Sequence, residues 1–62
     1  MPPYAIYYKD ELIAVEEAMP AGVAFKRKST GRMIEIEKLR INYIDKQTAY
    51  RLGKILEPAV QR

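Results

Sequence analysis

Val23-Ala24-Phe25-Lys26-Arg27-Lys28-Ser29-Thr30-Gly31-Arg32-Met33-Ile34-Glu35-Ile36-Glu37-Lys38-Leu39-Arg40-Ile41-Asn42-Tyr43 is the stretch whose reading decides the fold. Apolar and charged residues alternate through it, and Thr30-Gly31 supplies a turn, the pattern of a β-hairpin with one buried face. A two-residue turn at Thr30-Gly31, or a four-residue loop over 29–32, sets Phe25 opposite Ile36 and Lys26 opposite Glu35. That register gives one apolar face and one cross-strand ion pair. A three-residue loop sets Phe25 against Glu35 and mixes both faces, so the first register is expected.

Parity breaks within the second half of the stretch. Ile34 and Ile36 are apolar at even positions, whereas Leu39, Ile41 and Tyr43 are apolar at odd ones, and a straight strand cannot hold both sets on one face. Either a β-bulge sits at Glu37-Lys38 or the chain turns there into a further strand. The bulge is the expectation, because neither residue is a good turn former.

Outward from this region, Tyr4-Ala5-Ile6-Tyr7-Tyr8 has strong strand propensity. Its three tyrosines are either a stacking platform for bases or amphipathic residues covering the rim of a small core. Over 10–19, Asp10 as N-cap and Leu12, Val15 and Met19 at helical spacing before Pro20 predict a short helix. The alternative is a strand over 12–15 returning along Tyr4 to Tyr8, but its Lys-Asp-Glu turn lacks a glycine or asparagine for positive φ. Asp45 is the best N-cap in the chain, and the helix it starts, about 45–57, is expected to bury Ala49, Leu52, Ile55, Leu56 and Ala59 along one stripe. Pro58 is expected to end it. Gly53 costs about 1 kcal/mol relative to alanine there, which a close backbone contact would justify.

The expected architecture is one small α+β domain over residues 1–62. It has an antiparallel sheet made of the N-terminal strand and a central β-hairpin about 23–44, packed by the C-terminal helix. In element order alone, helix, hairpin and helix from Asp10 to Glu57 resembles the small head-to-tail joining proteins of lambda-type phages.

With 62 residues, no cysteine and no histidine, the chain has neither a disulfide nor the usual thiolate and imidazole metal ligands. A domain of this size buries only about 60% of its unfolded surface, so a homo-oligomer or a larger partner is expected to supply stability. No apolar run approaches the roughly 20 residues that span a bilayer, and Met1-Pro2-Pro3 does not begin a secretory signal. A cytoplasmic protein without membrane association is expected.

The net charge of +3 hides an uneven distribution. Residues 1–22 hold one cation and four anions, a net −3, and residues 23–62 hold ten cations and four anions, a net +6. Such asymmetry points to an anionic partner or to head-to-tail association. The candidate binding residues are Lys26, Arg27, Lys28 and Arg32 around the hairpin tip, extended by Lys38 and Arg40. A basic two-stranded ribbon fits the DNA major groove, where lysine and arginine grip phosphates and arginine reads guanine. An exposed hairpin tip is also commonly lysine-rich for solubility and to deter edge pairing.

Catalysis is not expected. Ser29, Thr30, Thr48 and the tyrosines have no base beside them, the three glycines are isolated, and Asp10, Glu11, Glu16 and Glu17 match no metal loop. The sequence therefore reads as a non-catalytic nucleic-acid-binding accessory protein without cofactor, metal or small-molecule substrate. The alternative is a protein-interaction module: an inhibitor, an adaptor, or a small phage, virion or complex subunit.

Overall fold

Tyr4–Tyr8 forms the central strand, β1, as its propensity predicts, and both neighbours pair with it antiparallel. A computed structural model describes the backbone over residues 2–60 and the side-chain environments over 2–57. On one side of β1 lies β2, Glu11–Glu16, and on the other β3, Leu39–Tyr43, giving the order β2-β1-β3. Helix α1 spans Ala21–Ser29, a short 3-10 turn covers Ile36–Lys38, and helix α2 spans Lys46–Val60. The fold class is the expected one: an antiparallel sheet and two helices, with the C-terminal helix packed against the sheet.

The hairpin lies elsewhere than expected. Residues 10–19 do not form a helix; β2 returns along β1 through Lys9 and Asp10, whose φ values are +51° and +67°. Two positive φ values in a two-residue loop describe a type I′ turn, whose twist matches the strands it joins, and Asp is among the residues that tolerate this conformation. Leu12-Ile13-Ala14-Val15 prefers the pleated ladder to an isolated helical turn. A register shift between Ile6↔Ala14 and Tyr7↔Leu12 leaves Ile13 as a bulge, so the bulge occurs in β2 and not at Glu37-Lys38.

The central hairpin over 23–44, with Phe25 opposite Ile36, does not form. Its first half is α1. Ala21, Ala24 and Phe25 recur at helical spacing and are the residues that pack on the core, whereas Val23, which alternation would bury, is 48% exposed. Lys26, Arg27 and Lys28 are good helix formers and sit in the last turn, where cations suit the negative end of the helix dipole. The Lys26 carbonyl accepts from the Thr30 amide at 3.0 Å and from the hydroxyls of Thr30 at 2.7 Å and Ser29 at 3.1 Å. Thr30 leaves the helix in the extended region, φ −64° and ψ 127°, and Gly31 follows at φ +68° in a type II turn over 29–32, so Thr30-Gly31 turns the chain out of a helix instead of joining two strands. The parity break is absorbed by the 3-10 turn, after which the chain enters β3. With helix, hairpin and helix no longer the element order, the likeness to phage joining proteins lapses.

Alternation divides the sheet into two faces. Tyr4, Ile6, Ala14 and Leu39 on one face form the core cluster with Ala24 of α1, and Ile41, Phe25 and Met19 pack against it. Ala5 lies on the other face, fully buried, where α2 packs against β1 and β2 with Ala49 as its buried residue. Four of the seven buried core residues are alanines, so each helix can approach the sheet closely while little apolar surface is gained. Tyr4 is fully buried, which assigns it to the core and not to a stacking platform.

Helix α2 begins where Asp45 predicts. The Asp45 carboxylate accepts from the Thr48 amide at 2.7 Å and its carbonyl from the Ala49 amide at 2.9 Å, capping the first turn. The hydrogen bond from the Thr48 amide also holds the Asp45 carboxyl below its usual pKa of 3.8. The helix runs to Val60, past Pro58, whose fixed φ suits a helix although its nitrogen donates no bond. Two further expectations fail on α2. Ile55 is 66% exposed, and a Cβ built on Gly53 meets nothing within 4 Å, so no close contact explains that glycine. Ala59 lies outside the described side chains.

Candidate functional site

The expected basic residues are divided by the fold into three groups. Arg27 and Lys28 stand three and four residues after Ala24, on its side of α1, and Lys26 points away from that side. Gly31 reverses the chain, and Arg32 comes back beside them; its amide donates to the Ser29 carbonyl at 3.3 Å. Arg27, Lys28 and Arg32 thereby line one concave pocket of about 370 Å³ together with Glu16, Met19 and Ala24.

Lys38 belongs to a different environment. Its ammonium hydrogen-bonds the Glu35 carboxylate at 3.2 Å, which raises its pKa above 10.5, and both groups are about half exposed. An exposed pair of this kind adds little stability, but it leaves Lys38 already engaged. Arg40 pairs with Tyr7 across β1 and β3, on the sheet face opposite α1, where it lines a shallower depression with Tyr7, Asp10, Ile41 and Asn42. Lys38 and Arg40 therefore do not continue the α1 cluster as a single stripe.

The pocket wall is held from below by the sheet. Glu16, the last residue of β2, is paired with Tyr4. The Tyr4 hydroxyl donates to the Met19 carbonyl, tying the bend over 17–19 to the core just before Pro20 opens α1. Burial, and next the nearby Glu16 carboxylate, raise the Tyr4 phenol above its usual pKa of 10.0. Among the described residues, ion pairs join Lys38 to Glu35 and Lys54 to Glu57. None closes Glu16 onto Arg27, Lys28 or Arg32.

Such a pocket can hold an anion through its three cations and, beside it, a hydrogen-bond donor through Glu16. Glu16 and Met19 carry no signal of this in the sequence. Glu16 reads there as one of four acids near the N-terminus, and only the β1–β2 register delivers it to α1. Among the described residues no group of three or more acids is placed to hold a metal ion, and no helix is long and apolar enough to cross a membrane. The chain matches no protein-family model, no curated protein and no solved structure.

Proposed function

We propose that this chain is a small non-catalytic nucleic-acid-binding accessory protein that grips phosphates with Arg27, Lys28 and Arg32. The observation that supports the reading is the convergence of these three cations on one pocket with no ion pair engaging them among the described residues. Crowded cations repel one another, and a phosphate backbone relieves that repulsion while releasing its own counterions. Lys26, on the outer side of the same helix, adds to the positive field around the pocket without lining it. The major-groove ribbon is not part of this reading, because the strands it needed do not exist. A cytoplasmic location goes with it.

Fluorescence anisotropy with a labelled duplex and a labelled single strand tests the proposal. Binding should weaken steeply with salt, with a slope near −2 on a single strand if three phosphates are neutralised at about −0.7 each. The double substitution Arg27→Ala/Arg32→Ala should flatten that slope by about 1.4. Absence of binding to both probes at low salt rejects the reading.

A second reading, association with another protein chain or another copy, is favoured by a separate observation at β3. The Ile44 amide donates to the Pro3 carbonyl at 3.1 Å, which in an antiparallel ladder turns the amides and carbonyls of Ile41 and Tyr43 outward, along the free edge. Tyr43 is 58% exposed beside that edge. Two copies paired antiparallel about Ile41 would set Leu39 against the second copy's Tyr43 and Arg40 against its Asn42, with no like charges opposed. Light scattering after size exclusion decides this: a dimer supports it, and a monomer at every concentration rules out self-association.

A further inference from the structure

The same pocket has a feature that phosphate binding leaves unused. Glu16 faces into a cationic cavity, yet no ion pair joins it to the three cations around it. A site built for phosphate alone gains nothing from a carboxylate, which repels the ligand. A carboxylate in that position is useful to a ligand that carries an anion at one end and a donor edge at the other, and a nucleotide is such a ligand.

Resting on the nucleic-acid reading above, we infer that the pocket seats one unpaired guanine nucleotide, with its phosphate on Arg27, Lys28 and Arg32 and its base edge on Glu16. An ionised carboxylate is an acceptor with two oxygens and no proton to give. Guanine presents two adjacent donors, N1–H and the N2 amino group, on its Watson–Crick edge, and these match the two oxygens. Cytosine and adenine set a single amino group beside a ring nitrogen whose lone pair the carboxylate repels. Thymine and uracil offer one N–H between two carbonyls. The edge is available only when the base is unpaired, which restricts the ligand to a single strand, a loop or a bulge. A volume of about 370 Å³ lies at the lower end of the range for small-ligand sites and suits one nucleotide, not a stack. Met19 and Ala24 provide the apolar wall against which a base can lie.

The test uses the full chain and short single-stranded DNA: an oligothymidine, the same strand with one central guanine, and the same strand with inosine there. Inosine keeps N1–H and lacks only the N2 amino group. The guanine strand is expected to bind about tenfold tighter than either of the others. Glu16→Gln should abolish that preference and tighten oligothymidine binding, since a negative charge that repels the phosphate has been removed. Equal affinity of the unaltered chain for all three strands overturns the assignment and leaves phosphate binding standing, and it needs no variant to fold. A guanine preference that survives Glu16→Gln overturns it as well. Failure of every strand to bind at low salt removes both this inference and the function beneath it.

Discussion

The three glycines provide a stability series in which the fold predicts opposite signs for the same chemical change. At Gly31 a Cβ would meet nothing within 4 Å, so replacement by alanine costs nothing in packing and the whole effect comes from φ +68°. An L-residue in that conformation is penalised by about 1–2 kcal/mol. The alanine also restricts the unfolded chain, which returns about 0.4–1 kcal/mol, so the net loss lies between about 0 and 1.6 kcal/mol and centres near 0.8. At Gly53, inside α2, a Cβ again meets nothing within 4 Å and φ is not positive, so alanine should stabilise by about 1 kcal/mol. Gly22, near the start of α1, should gain about half as much. A 62-residue domain has a total stability of about 3–9 kcal/mol, and each kcal/mol moves its midpoint by about 4–8 °C. Thermal and urea unfolding followed by circular dichroism should therefore show Gly31→Ala melting roughly 3–6 °C lower and Gly53→Ala about 4–8 °C higher. A chain synthesised with D-alanine at position 31, for which positive φ is natural, should be more stable than the unaltered chain by about 0.4–1 kcal/mol. If L-alanine at 31 stabilises, or D-alanine destabilises, Gly31 does not turn the chain out of α1 in the left-handed conformation and the route that carries Arg32 back to the pocket is wrong.

Further outcomes follow from the core and from two of the three shifted pKa values. Ile6→Ala, at the centre of the middle strand and fully buried, should cost about 2–5 kcal/mol, enough to remove most of the stability and the cooperative melt. Asp45 has a folded pKa below its unfolded value, so its capping contribution is complete above the unfolded value of 3.8 and is lost as pH falls through the folded one. Asp45→Ala should accordingly melt lower than the unaltered chain at pH 7, with the gap narrowing near pH 2; a gap independent of pH would exclude a carboxylate cap. Tyr4 has a raised pKa, so its stabilising effect is present below 10.0 and is lost as pH climbs through the folded value. Absorbance titration near 295 nm should show one of the five tyrosines ionising late, together with alkaline unfolding. Tyr4→Phe should remove that late step, and an unchanged titration would place Tyr4 outside the core.

Local rules were sufficient for several elements. The β-propensity of Tyr4–Tyr8, the N-cap at Asp45 and the apolar spacing of Ala49, Leu52 and Leu56 act within a few residues, and each element forms where they indicate. For residues 10–19 local rules pointed both ways. A good N-cap competed with an apolar run holding β-branched Ile13 and Val15, and β1 settled the contest by offering an unpaired edge that a strand satisfies and a helix does not.

Val23 to Arg32 shows the reverse failure. Two alternations and a Thr-Gly pair resemble a hairpin, yet the ladder sites beside β1 are filled by β2 and β3, which leaves no edge of the central strand for a third ribbon. Helix formation satisfies the backbone within the segment, and Ala24 covers Tyr4 and Ile6. The basic character of the candidate site was legible in composition, since Arg27, Lys28 and Arg32 are close in the chain. That Arg40 belongs to the opposite face and that Glu16 belongs to the pocket depends on strand register, a relation between residues far apart in sequence.

By itself, then, the amino-acid sequence determined the α+β class, the strand at Tyr4, the capped C-terminal helix and the concentration of positive charge in residues 23–62. Each of these depends on propensity, capping or charge count, which short segments carry without outside help. Only the tertiary structure decided that Ala21–Ser29 is helix and Glu11–Glu16 strand, and that an acid from β2 faces three cations. The reason is that β1 has two edges, and which segments fill them is a competition among the whole chain's backbone groups.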